Sequence, residues 1–370
     1  MSDWKEYTIG DIGKIITGKT PRTAITENYG GNTPFLSPSD NMDVKYVGYT
    51  NKSLTEQGVK EVKNCLLPKN AICVSCIGSD LGKVLITVQP TVTNQQINSI
   101  IVNNENDVNF VYYLMTVVGK DLNYMSKTST AVPIVNKSSF SNYKVSIPPL
   151  AKQKKIAGIL SSLDDKIEIN RKINARLEEL AQAIFKSWFI DFEPFGGKMP
   201  EDWEVCDLSE ILTIKYGKDH KKLQDGKIPV YGSGGVMRYA DKALYDKESV
   251  LIPRKGTLNN IIYVDDPFWS VDTMFYTEMK IDNVSKYIFY CLKRLDFEQM
   301  NSGSAIPSMT TNILNALKFN LPTNTILKGF EGLMNPIFLR IKELSQESSR
   351  LAELRDALLP KLMSGELKPE

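Results

Sequence analysis

From residue 156 to residue 188 the chain places apolar or core-compatible side chains at alternating steps of four and three: Ile156, Leu160, Leu163, Ile167, Asn170, Asn174, Leu177, Ala181, Ile184 and Trp188. That spacing is the heptad seam of a helix that packs lengthwise against another helix. Adding 174 to each position returns Phe330, Met334, Ile337, Ile341, Leu344, Ser348, Leu351, Arg355, Leu358 and Leu362, the same seam with one charged interruption. A run of about 40 residues makes a helix of ~60 Å. A helix that long with one apolar stripe needs a partner, and the obvious one is the other copy. The two asparagines leave two readings open: they set the register of the pair at some cost in stability, or they lie at the wet edge of the seam.

The remaining segments have a different texture. Residues 1–149 and 196–323 carry short β-like runs such as Ala71-Ile72-Cys73-Val74-Ser75, Val84-Leu85-Ile86-Thr87, Ser249-Val250-Leu251-Ile252 and Asn260-Ile261-Ile262-Tyr263, punctuated by Gly, Asn and Asp. Helices are expected over 109–122 and 285–296. These segments are also copies of one plan. Trp4, Ile9, Asp11, Ile12, Gly18 and Lys19 match Trp203, Leu208, Glu210, Ile211, Gly217 and Lys218 at a constant offset of 199. Later the offset is 174, pairing Ser129–Pro133 with Gly303–Pro307 and Ile147-Pro148 with Leu321-Pro322, so the second module is about 25 residues more compact. The expected architecture is α+β: module 1–149, long helix 150–195, module 196–323, long helix 324–370. If the helices pair antiparallel, a pseudo-twofold relates the halves. B-DNA has the same local symmetry, and such a body suits a split site read in two major-groove segments.

Composition narrows this picture. A chain of 370 residues with 42% hydrophobic content supports more than one core. No apolar run approaches the roughly 18 residues that span a bilayer, and the first residues lack a signal-peptide pattern, so a cytoplasmic location with no membrane partner is expected. Cys65, Cys73, Cys76, Cys206 and Cys291 are too few for a disulfide framework in a chain this long and read as reduced thiols. Lys and Arg total 45 against 43 acids, and none of the four segments is strongly basic. Any DNA-binding charge must therefore be sorted onto one face or supplied partly by a partner, and weak binding in isolation is expected.

Catalytic constellations are missing parts. His220 is the one histidine, which removes Ser-His-Asp, Cys-His and His-based zinc chemistry. Cys73 and Cys76 form a lone Cys-x-x-Cys inside an apolar run, which reads as core. Gly232-Ser233-Gly234-Gly235 lacks the Lys-Ser/Thr of a phosphate loop and reads as a turn. Asp266-Pro267-Phe268-Trp269 resembles the Asp-Pro-Pro-Phe loop of amino-methyltransferases only in part, with no cofactor-binding glycine loop before it. No catalytic residue and no metal site is expected.

Candidate DNA contacts are more numerous. Lys218, His220, Lys221 and Lys222, flanked by Lys215 and Lys227, form one cationic stretch, and Lys14, Lys19, Thr20 and Arg22 occupy the equivalent stretch of the first module. Such side chains on a loop suit phosphate contacts, and a solvated surface loop is the plain alternative. Asn94, Gln95 and Gln96 are amides of the kind that pair with adenine. Arg254 and Lys255, followed by Gly256 and Thr257, come after a β-like run and offer a guanine-reading arginine with room for close approach. Ser129, Thr130 and Ser304 lie in the paired Ala-x-Pro loops before the long helices.

Several longer motifs point to one family. Ile147-Pro148-Pro149-Leu150 leads through Lys152-Gln153 into Ile156, Leu160 and Leu163; Leu177-Glu178-Glu179-Leu180 leads into Ile184-Phe185 and Trp188-Phe189; and Ile228 to Gly235 runs on to Ile252-Pro253-Arg254-Lys255-Gly256-Thr257. These motifs, and the whole order of the chain, resemble specificity subunits of Type I restriction-modification enzymes. Lys152 stands where that family commonly has Glu. The resemblance implies a non-catalytic subunit that binds an asymmetric bipartite site on double-stranded DNA, with the helices fixing a gap on the order of 5 to 8 base pairs. It implies assembly with two methyltransferase subunits and two restriction-translocation subunits. The chain itself would bind no cofactor, S-adenosylmethionine, ATP and magnesium belonging to those partners. An adenine flipped into a partner's pocket would be positioned by this chain. The outer faces of the long helices would be the docking surfaces. Phe185, Trp188, Phe189 and Phe192 would lie either in such a surface or against the adjacent module.

Overall fold

The computed structural model describes residues 3–78, 81–127, 135–300 and 308–369. The chain is α+β and divides into two compact units: Met1–Asn170 with Gln346–Glu370, and Arg171–Ser345. Both divisions fall inside long helices. The four longest helices among the described residues are α1 (Val108–Lys127), α2 (Leu150–Phe189), α3 (Ser285–Lys293) and α4 (Asn324–Met363).

In the first unit a five-stranded sheet has the order Gly13–Thr17, Ile97–Val102, Ile72–Ser75, Val84–Thr87, Tyr46–Val47. All of its pairings are antiparallel except the last. Strand Ile72–Ser75 is buried throughout because both faces of the sheet are covered. Ile72 and Val74 join α1 residues such as Phe110 and Met115 in one core, whereas Cys73 joins Leu36, Leu67 and Leu85 in another. Side chains two apart share a face, so covering both faces turns alternation into a continuous apolar run. The second unit repeats the device in the sheet Leu212–Tyr216, Met274–Met279, Ser249–Pro253, Ile262–Val264. There Val250 and Ile252 face α3, and Leu251 faces Phe268 and Met274.

Element boundaries repeat at the offsets visible in the sequence. Lys5–Thr8, Ile9–Ile12 and Gly13–Thr17 correspond to Glu204–Asp207, Leu208–Ile211 and Leu212–Tyr216, each 199 residues on. Lys137–Ser141, Lys144–Ile147 and α2 correspond to Thr311–Asn315, Lys318–Leu321 and α4, each 174 on. In each unit the first strand closes an antiparallel ribbon with the strand that precedes a long helix: Lys5 pairs with Ile147 and Glu204 with Leu321. Ile97–Val102 and Met274–Met279 are 177 apart, so most of the shortening falls between Thr17 and Ile72, where strand Tyr46–Val47 and helix Glu56–Glu61 of the first unit have no counterpart among the described elements of the second. The expected helix over 109–122 extends to Val108–Lys127, and that over 285–296 ends at Lys293.

The long helices pair antiparallel within each unit. In the first, Ile156 and Leu160 share a core with Leu359 and Leu362, and the Asn170 amide donates to Glu347 Oε2 at 2.7 Å. In the second, the Asn174 amide donates to Ser345 Oγ at 3.0 Å, and Ala181 and Phe185 share a core with Phe330 and Met334. Ile156, Leu160, Ile337 and Leu344 are buried, and Leu163, Ile167, Leu177, Ile184, Ile341, Leu351 and Leu358 are half-buried. Asn170 is fully buried, so it sits inside the seam and not at a wet edge. At the C-terminal end of both helices the most buried position moves on by one residue, from Ile184 to Phe185 and from Leu358 to Leu359. A straight helix drifts about 20° per heptad against a 3.5-residue seam, and these ends turn their buried stripe onto the module. Phe185 stacks on Tyr290 at 5.3 Å, and Phe189 meets Tyr287 at 4.7 Å and Trp203 at 5.8 Å. Trp188 and Phe192 belong to the same aromatic core, which favours packing over docking for all four residues.

Candidate nucleic-acid interface

Each module is held on its helices by a buried polar cluster. In the first unit Lys45 Nζ donates to the Tyr113 hydroxyl at 3.1 Å and to Ser161 Oγ at 3.0 Å. The Tyr113 hydroxyl donates in turn to Asp164 on α2, which also takes Arg355 Nη1 of α4 at 2.7 Å. Burial pushes the Lys45 ammonium below its ordinary value, while Asp164 and Asp165 pull it back up. In the second unit Lys286 on α3 joins Glu331 on α4 at 2.5 Å, the Tyr263 hydroxyl at 3.0 Å and Glu248 at 3.4 Å. Burial holds the Glu331 carboxyl above the usual carboxylate value, with Lys286 acting in the opposite direction. Asp266, which begins the partial methyltransferase-like motif, and its neighbour Asp265 meet Lys342 of α4 at 2.7 and 3.1 Å.

Loops converge at the far ends of the sheet strands through a shared backbone framework. In the first module Gly18 N–H donates to Ile97 O and Lys19 N–H to Thr93 O, at 3.1 and 2.9 Å. In the second, Gly217 donates to Met274 O and Lys218 to Ser270 O, at 3.0 and 2.8 Å. Glycine is required at both crossings: a Cβ on Gly18 would lie 2.1 Å from Asn94 O, and one on Gly217 would lie 2.0 Å from Val271 O. The cationic loops are thereby fastened beside the turns 94–96 and 271–273.

The individual candidates fall as follows. Lys19, Arg22 and Gln95 are exposed and Thr20 and Gln96 half-buried. The Thr20 hydroxyl donates to Gln95 Oε1 at 2.7 Å, so the hydroxyl and amide candidates of the first module meet. Arg22 is turned to Glu61 at 3.0 Å. Asn94 is buried, and its amide closes the turn onto Gln96 Oε1 at 3.0 Å. In the second module Lys218, Lys221, Lys222, Lys255 and Thr257 are exposed, with His220 and Arg254 half-buried. Ser129, Thr130 and Ser304 lie outside the described residues. Cys73 and Cys76 are buried in the sheet, where they accept from Ser99 and from Asn98. Burial pushes the Cys73 thiol up to about 12. Among the described residues no acidic, cysteine or histidine cluster is arranged to hold a metal, and no helix is long and apolar enough to cross a membrane.

Sequence reasoning passed over two features. Tyr216 lies under the Arg254 guanidinium, 5.4 Å from ring centre to the guanidinium carbon. Nothing in the local pattern around Tyr216 signals this. The hairpin Asp225–Gly232 with Gly235–Ala240 exposes Val236, Met237 and Tyr239 on an edge strand beside the same loops. Their run of apolar residues after a Gly-rich turn was the available signal.

Comparison with known proteins fits this arrangement. The family described as "Type I restriction modification DNA specificity domain" matches residues 1–179 and 200–335. The Type I restriction enzyme MjaIX specificity subunit of Methanocaldococcus jannaschii is 30% identical, over 100% of this chain and 94% of its own length. The HindI specificity subunit of Haemophilus influenzae is 26% identical, over 99% of this chain and 100% of its own. A crystal structure of a Type I restriction-modification S subunit from M. genitalium has the same fold, with a TM-score of 0.65, 20% identity and coverage of 97% of this chain and 96% of that one. With two copies of the family's domain in one chain and a relative aligned along its full length, the protein belongs to the Type I restriction-modification DNA specificity family.

Proposed function

We propose that the chain reads an asymmetric, split site on double-stranded DNA, one half per module, and that α2 and α4 set the gap between the halves. The observation that carries this reading is the repeated loop framework with different side chains on it: Lys19, Thr20 and Gln95 in one module, Lys218, Arg254 and Lys255 in the other. A common backbone gives both modules the same approach to a groove, and unlike side chains give them unlike half-sites. The family is non-catalytic, so chemistry falls to partners: methyltransferase subunits using S-adenosylmethionine and restriction-translocation subunits using ATP and magnesium. Docking on the helices is supported by a second repetition. Ile159 and Leu333 are equivalent exposed apolar residues 174 apart, as are Leu180 and Leu354. Two equivalent patches suit two copies of one subunit.

The near-neutral charge balance makes the isolated chain a weak DNA binder, since affinity follows the number of phosphates neutralised. The test is methylome sequencing of cells that express the chain with its cognate methyltransferase subunit, against cells that express the methyltransferase alone. Adenine methylation at one split, asymmetric motif only when the chain is present is the expected result. Methylation with no motif, or with the same motif in both strains, overturns the reading.

A further inference from the structure

The two modules differ most sharply at one loop, and strand register shows that the comparison is between equivalent positions. Strand Ile72–Ser75 pairs with Ile97–Val102 so that Ser75 faces Ile97, and strand Ser249–Pro253 pairs with Met274–Met279 so that Pro253 faces Met274. The next residues are Cys76 and Arg254. Cys76 N–H donates to Gln96 O and its carbonyl accepts from Val135, both within 3.0 Å; Arg254 N–H donates to Thr273 O and its carbonyl accepts from Met309, both within 2.9 Å. Two residues further on stand Gly78 and Gly256, with φ of 78° and 87°. One loop conformation therefore presents Cys-Ile-Gly in the first module and Arg-Lys-Gly in the second.

The side chains have different fates. Cys76 is buried, and its sulfur accepts from Asn98 at 3.2 Å. Arg254 stays half-exposed at the end of a fully buried strand. Its guanidinium lies over the Tyr216 ring, and its Nη1 donates to Asp272 O at 3.2 Å. No carboxylate forms an ion pair with it among the described residues. An aromatic face and one carbonyl hold the plane of the fork while leaving donors of the guanidinium for another acceptor pair. In the first module Thr17 stands at the Tyr216 position and is bonded to Asn98.

We infer that Arg254, oriented by Tyr216, reads a guanine in the half-site of the second module, and that the equivalent loop of the first module makes no such contact. The inference rests on the proposed DNA reading. A planar fork held on a ring matches the O6 and N7 acceptors of guanine in the major groove, and loss of such a bidentate pair relaxes discrimination by on the order of ten- to a hundredfold. Tyr216 is a positioning residue.

The experiment is methylome sequencing of cells carrying the chain with its methyltransferase subunit, for wild type, Arg254→Ala, Arg254→Lys, Tyr216→Ala and Tyr216→Phe, with thermal unfolding of each purified complex as a check on folding. Arg254→Ala should make one guanine position degenerate in one half-site and leave the other half-site intact. Arg254→Lys should relax the same position less, Tyr216→Ala should relax it, and Tyr216→Phe, which keeps the ring, should retain the guanine. An unchanged motif in folded Arg254→Ala, a uniform fall in methylation with the motif intact, or relaxation at a base other than guanine overturns the inference. If wild type yields no split motif, the proposed function fails instead. Should Arg254→Ala unfold, the Arg254→Lys and Tyr216 pairs decide by the same criteria.

Discussion

Removing the ammonium of Lys286 probes how the second module is fixed to its helices. The Lys286 side chain is 3% exposed and that of Glu331 9%, with 2.5 Å between the charged atoms. Lys286→Met keeps the length of the side chain but leaves the Glu331 carboxylate buried without its cation. Breaking a buried pair in this way costs about 3–5 kcal/mol. At about 2–4 °C per kcal/mol for a unit of this size, the transition of the second unit should fall by roughly 6–20 °C. The loss should also depend on pH. Burial already raises the Glu331 carboxyl, and without Lys286 burial and the nearby Glu248 are left to raise it further. A carboxyl whose folded pKa lies above its unfolded value binds more protons when folded, so stability falls as pH rises through that window. Calorimetry of wild type, Lys286→Met, Glu331→Leu and the double variant at pH 5 and pH 8 reads both effects. The variant should be closer to wild type at pH 5, and the double variant should recover most of the loss, because two apolar groups replace a buried pair at little cost. A loss below about 1 kcal/mol at pH 8, or equal losses at the two pH values, would refute the reasoning.

Three further outcomes follow from particular side chains. The Oδ1 atom of Asn170 is buried and has no hydrogen-bond partner, so Asn170→Leu should stabilise the helix pair by about 1 kcal/mol, seen as a rise in the urea midpoint; a fall would mean that the amide contributes more than its buried acceptor costs. Gly217→Ala should cost about 1–3 kcal/mol through the clash with Val271 O and degrade recognition of one half-site only, which methylome sequencing of the variant would display. Cys73 is wholly buried with its thiol pushed up to about 12, so iodoacetamide at pH 8 should label it only after denaturation, as peptide mass spectrometry would detect.

The limits of reading the sequence show at individual residues. The offsets 199 and 174 marked where each module opens and where each long helix begins, because a repeated chain must repeat its boundaries. The seam was legible as far as Leu177 and Leu351, where helix packs on helix. It slipped at Ile184 and Leu358, where the modules take over the burial. Asn94 and Gln95 are both polar in sequence, yet one is buried closing a turn and the other stands exposed beside Thr20. Tyr216 and Arg254, 38 residues apart in sequence, become neighbours because strands Leu212–Tyr216 and Ser249–Pro253 flank the same strand, Met274–Met279.

Repetition and heptad spacing are properties of the string of residues, and they were enough to locate two copies of a module and two long helices that pair. Strand register decided that Cys76 and Arg254 occupy the same place, and burial decided which polar groups of each loop remain free. Both depend on which backbone atoms meet across the sheets. Local pattern carries no record of that, because a side chain's period names its face and not its neighbour.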